Sequence, residues 1–128
     1  MTINFSRYLA IAFGIFTPLA ETVRRWNTWQ NEPSALFDDY ILGAFLLYGA
    51  WHVGRDAHNG QRFLAAAWAF TCGMAFLGFF GQLRGLRLGE ADPAPIASEW
   101  VAVIKGIGLV VAILALAASL RKLPKSER

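Results

Sequence analysis

The chain has 128 residues, of which 55% are hydrophobic, 14% aromatic and only 16% charged, with a net charge of +3 and a mean hydropathy of +0.38. A single domain-sized unit of this length cannot hide so much apolar surface from water, which excludes a soluble enzyme. Disorder is excluded as well, because its signature is low hydrophobicity with high net charge.

What remains is an all-α integral membrane protein, read as one domain, a four-helix bundle with four transmembrane spans. A span needs ~20 mostly apolar residues. The first run, Tyr8 to Ala20, has 13 uncharged residues between Arg7 and Glu21. At ~1.5 Å per residue it covers only ~20 Å of a ~30 Å hydrocarbon core, so its bounding charges are expected at the membrane edge. The span is placed at 4–23. Cleavage as a signal peptide before Glu21 would need a small residue where Pro18 stands, so the helix is read as retained. Pro18 predicts a kink, with Thr17 satisfying freed backbone groups.

The second run, Tyr40 to Gly54, has 15 uncharged residues between Asp39 and Arg55, and its span is placed at 37–54. Trp26, Trp29, Tyr40, Tyr48 and Trp51 lie near the ends of these two runs, as interfacial anchors would. The triplet His58-Asn59-Gly60 predicts a tight turn into the third span. That span, 63–83, holds 21 residues without a charge. Gly85 to Ser98, with Pro93 and Pro95, reads as the longest connection. The fourth span, 99–120, includes the 21 residues Trp100 to Leu120, with a single internal charge at Lys105. The residues after Leu123 read as a polar tail. No internal repeat is visible, and with it no inverted-repeat transporter signature.

Four spans put both termini on one side. That side, with the Arg55–Arg62 connection, carries seven basic residues against two acidic ones. The other side carries four basic and seven acidic residues. The bias places the termini in the cytoplasm and the chain in a cell inner membrane. Basic residues at span ends are a topology signal and not a nucleic-acid surface, so nucleic acid is excluded as a partner.

Helices in lipid associate through small residues, and Gly73, Gly81, Gly85 and Gly108 are the expected packing stripe, with Gly54 on the second span, Gly106 beside Lys105 and the isolated Gly14, Gly43 and Gly49 as further packing positions. The first reading is packing within one bundle. The second is a face shared between copies.

Ionisable residues within membrane depth are functional candidates by default. Lys105 lies five residues past Trp100, roughly 7–8 Å inside the interface by helical rise. The shortness of the first two runs draws Glu21 and Asp39 to a similar depth. Arg24 and Arg25 follow Glu21 at i+3 and i+4, within ion-pair reach, and Arg84, Gln82 and Glu99 could close a ring. The expected binding cluster is therefore Glu21, Arg25, Asp39, Arg84 and Lys105. The plain alternative is a structural salt-bridge network.

Catalytic and cofactor patterns are missing. There is no Ser-His-Asp set, phosphate-binding glycine loop or HExxH, and the lone Cys72 forms no pair. His52 and His58 cannot share a helix face for haem or metal, so no cofactor is expected. The leading function is a non-enzymatic accessory or binding component, with the bilayer and either its own copies or other membrane subunits as partners. The alternative is a small homo-oligomeric transporter or ion channel. An intramembrane enzyme acting on a lipid-like substrate comes third.

Overall fold

The computed structural model describes residues 3–24, 33–89 and 97–123. They form α1 (Ile3–Arg24), α2 (Pro33–Arg55), α3 (Ala57–Arg87) and α4 (Ser98–Ser119), with no strand among the described residues. Helices α1, α3 and α4 are long and apolar enough to cross a membrane, the pattern of a multi-pass helical membrane protein. At 23 residues α2 is long enough, but Asp38 and Asp39 near its start and His52 and Arg55 near its end dilute its apolar character.

The first two helices outrun their uncharged cores. Helix α1 continues through Arg7 and Glu21, and α2 through Asp39, to lengths of 22 and 23 residues. By helical rise these measure ~33–35 Å.

Two boundaries differ from the expected ones. His58, Asn59 and Gly60 are not a turn but the first turn of α3, and only Asp56 separates α2 from α3. Asp56 adopts an extended conformation and caps α3. Its Oδ1 accepts from the backbone N–H of His58 at 3.1 Å, and its Oδ2 accepts from Asn59 Nδ2 at 2.8 Å. An aspartate immediately before an uncharged helical run is a strong N-cap, and this one wins over the turn propensity of Asn-Gly. At the far end α3 runs through Gly85 to Arg87, so the connection begins later than expected. It stops at Gly89, whose φ of 73° suits the left-handed residue that closes a helix.

The helices pack antiparallel in chain order, and α4 returns to touch α1, so α2 and α4 stand diagonally opposite. Along the α1–α2 seam Arg7 meets Ala50, Gly14 meets Gly43, and Thr22 meets Tyr40. The tight core lies towards the α2–α3 corner, where Leu46, Leu64 and Trp68 are fully buried and Ala10, Ala112 and Ala115 fill the spaces between them. Polar groups in this half are satisfied internally, as lipid demands. The Ser6 hydroxyl donates to the Ala115 carbonyl at 2.9 Å, and the Trp68 indole donates to the Ser6 carbonyl at 3.3 Å. Gln61 Nε2 donates to the carbonyls of Ser119 and Arg121, covering the exit of α4.

Close helix approach occurs at the isolated packing glycines Gly14, Gly43 and Gly49 and at Gly106, and not along the expected i, i+4 stripe. A Cβ on Gly49 would lie 2.8 Å from the Leu64 Cα, and one on Gly60 would collide with the backbone of His52 and Val53. At Gly73, Gly81 and Gly108 nothing among the described residues lies within 4 Å of such a Cβ, so these three make no close packing contact within the chain. The i, i+4 spacing marked them as a stripe, but spacing alone does not say which face of a helix turns inward. Gly85 is partly buried within α3.

Candidate functional site

The end of the bundle away from the α2–α3 corner holds Glu21, Arg24, Asp39, Gln82 and Lys105. Glu21 stands one turn before the end of α1, and Asp39 is the seventh residue of α2. Gln82 lies in the last two turns of α3, and Lys105 is the eighth residue of α4. By helical rise Asp39 and Lys105 each stand about 10 Å in from the start of their helices.

These side chains interact. Arg24 Nη1 donates to both carboxylate oxygens of Glu21, at 2.9 and 3.1 Å, and only 13% and 16% of the two side chains remain exposed. Lys105 Nζ donates to Gln82 Oε1 at 3.2 Å, joining α4 to α3. Asp39 is half-buried, and the charges that act on its carboxylate are those of Glu21, Lys105, Asp38 and Arg24. Charged groups of α1, α2 and α4 thus act on one another electrostatically at this end of the bundle, and an amide of α3 bonds to Lys105.

Local packing holds the cluster in place. Thr22 Oγ1 bonds to the Tyr40 hydroxyl at 2.7 Å and to the Pro18 carbonyl at 2.7 Å, tying α1 to α2 beside Glu21 and Asp39. Thr17 Oγ1 donates to the Phe13 carbonyl at 2.8 Å, so the threonines on both sides of Pro18 serve main-chain carbonyls. On the far side the Phe79 ring fills the space that a side chain at Gly106 would take, reaching 2.9 Å from its Cβ position. That contact sets the α3–α4 register and brings Gln82, three residues on, to Lys105.

Of the five expected residues, Glu21 and Lys105 both act electrostatically on Asp39. Arg25 lies outside the described residues, and its neighbour Arg24 makes the bond to Glu21 at i+3. Arg84 is exposed and does not share the cluster's face. Two positions past Gln82 it points roughly 200° away around the helix. Gln82 is the α3 member instead. Sequence reasoning missed the Thr22–Tyr40 clasp, although Thr22 follows Pro18 at i+4 and Tyr40 follows Asp39 directly. Among the described residues no three His, Cys, Asp or Glu side chains are placed to hold a metal.

Compared with protein-family models, with curated proteins and with solved structures, the chain matches none. Any function must therefore be argued from this geometry. The cluster offers carboxylates to a cation and guanidinium, ammonium and amide donors to an anion. It has no thiol, imidazole or serine nucleophile among its members.

Proposed function

We propose that all four helices cross a cell inner membrane with both termini cytoplasmic, and that the protein is a non-enzymatic binding or accessory component. Its ligand carries both signs of charge, as a zwitterionic headgroup or a charged partner segment does, and it docks at the Glu21–Arg24–Asp39–Gln82–Lys105 cluster. The observation that carries this reading is the set of polar contacts at this end of the bundle: Arg24 on Glu21, Lys105 on Gln82, and the charges of Glu21, Arg24 and Lys105 acting on Asp39. Membranes make such placement costly, and a bundle that needed only to fold would manage with fewer charges.

Two further observations support it. Helix α2 packs closely against both α1 and α3, through Gly43 and Gly60, and so shares their depth. The half of the bundle beyond the cluster is closed by Leu46, Leu64 and Trp68, all fully buried. A plugged interior favours binding over conduction through one chain. A transporter would need a path along a face shared between copies.

Native mass spectrometry of the full chain in mild detergent, beside Lys105→Ala, tests the reading. A monomer carrying a lipid or foreign subunit that the variant loses supports it. A homo-oligomer without other companions supports the transporter instead. A monomer without any companion, unchanged in the variant, reduces Lys105 to a structural residue.

A further inference from the structure

The opposite end of the bundle carries a second arrangement, independent of the charge cluster. The tight α2–α3 corner lays the His52 ring flat on the Phe63 ring, with centroids 4.5 Å apart and planes 20° from parallel. Tyr48 meets His52 edge-on at 4.5 Å, and Trp51 meets it at 5.1 Å. Trp51 and Tyr48 are 54% and 52% exposed. Guanidinium groups flank these rings. Arg55 lies 5.2 Å from the Trp51 ring centroid and Arg62 lies 5.0 Å from that of Phe63, and both arginines are exposed.

No carboxylate among the described residues lies within ion-pair distance of Arg55 or Arg62. The nearest acid in sequence, Asp56, is engaged in capping α3. A guanidinium held over a ring by a cation–π contact keeps its N–H donors for other partners, and its planar fork matches the oxygens of a phosphate. Deeper along the same seam, Phe45 and Phe70 form an exposed edge-to-face pair at 5.3 Å. From Arg55 to Phe45 is ten residues, ~15 Å of helix, the depth of one leaflet's hydrocarbon. The seam therefore runs from cation to amphipathic ring to pure hydrocarbon, in the order that a phospholipid runs from phosphate to glycerol to acyl chain.

We infer that the α2–α3 seam is a binding site for an anionic phospholipid, its phosphate held between Arg55 and Arg62 and its acyl chain lying along Phe45 and Phe70. The rings contribute twice, by orienting the guanidiniums and by receiving the glycerol region as interfacial aromatics do. Basic residues at a membrane surface attract anionic lipid generally, so the claim is that these two exceed that background.

The test is a lipid titration of the delipidated full chain in detergent, read by native mass spectrometry. Phosphatidylglycerol, phosphatidylcholine and inorganic phosphate are the probes. Phosphatidylglycerol is expected to bind and phosphatidylcholine to bind much more weakly, with phosphate unable to displace the lipid. The double variant Arg55→Gln, Arg62→Gln should weaken phosphatidylglycerol by well over the ~30-fold that two basic residues at a membrane surface supply at about fivefold each. Lys122→Gln with Lys125→Gln removes equal charge from the sequence that follows α4 and should cost no more than that ~30-fold background. If the glutamine variant does not fold, Arg55→Lys with Arg62→Lys keeps the charge but loses the stacked fork, and should still weaken the lipid several-fold. Equal losses in the arginine and lysine pairs would reduce the effect to diffuse charge and overturn the site. So would unchanged affinity in the arginine variants, or displacement of the lipid by free phosphate.

Discussion

The carbonyl oxygen of Gly14 stands 2.6 Å from the point where a Cβ on Gly43 would lie. Pro18, one turn after Gly14, has no N–H to bond that carbonyl, and its ring stands 2.8 Å from the same point. The carbonyl left open by the proline is thus turned towards α2, and only a glycine lets α2 come so near. This crossing sets the α1–α2 geometry that later brings Thr22 to Tyr40 and Glu21 towards Asp39.

Gly43→Ala should therefore overpack the crossing and destabilise the protein by about 1–3 kcal/mol. Gly81→Ala, which meets open space, should leave the unfolding free energy unchanged or slightly raised. Denaturant titration in mild detergent, followed by circular dichroism, compares the two. Equal losses would mean that the close approach at Gly43 does not govern stability. A loss confined to Gly81→Ala, together with dissociation of a dimer, would place a partner on the open face of α3.

Lys105→Met keeps the length and apolar stem of the side chain while removing its charge. It should cost about 1.5–3 kcal/mol through loss of the charged hydrogen bond to Gln82. Paired with Asp39→Asn in a double-mutant cycle, it should show a coupling of about 0.5–3 kcal/mol, because the two groups act on each other across the cluster. Strict additivity would separate Asp39 from Lys105 and dissolve the proposed site.

Ser6→Ala removes the hydroxyl that bridges α1 to the Ala115 carbonyl. Hydrogen bonds between membrane helices average about 0.6 kcal/mol and reach about 1.7, so a loss in this range is expected. A larger drop in melting would show that the Trp68 indole depends on the Ser6 hydroxyl as well as on its carbonyl.

Asp56→Ala should destabilise by about 0.5–2 kcal/mol by uncapping α3, whereas Asp56→Asn should retain most of the stability. Hydrogen exchange at the His58 and Asn59 amides reads the effect locally. Protection that survives in the alanine variant would show that the backbone packing of Gly60 on α2 holds the corner without the cap.

The membrane class and the helical character were legible in the chain because apolar run length and charge scarcity are additive along a sequence and need no partner. The expectation that Glu21, Asp39 and Lys105 share a depth rests on a related reason. Short runs between charges fix depth along a helix axis, and depth is one-dimensional. What the chain left open was rotation about each axis. Gly73, Gly81 and Gly108 had the spacing of a packing stripe, yet among the described residues the close contacts fall at the isolated packing glycines Gly14, Gly43 and Gly49 and at Gly54, Gly60 and Gly106. Arg84 lay at a fitting depth, but Gln82, on the opposite side of the same helix, reaches Lys105. The facing of a helix is decided by which ring or backbone fills which gap on its neighbours. Phe79 against Gly106 and Pro18 against Gly43 are pairings between residues distant in sequence, and no local pattern encodes them.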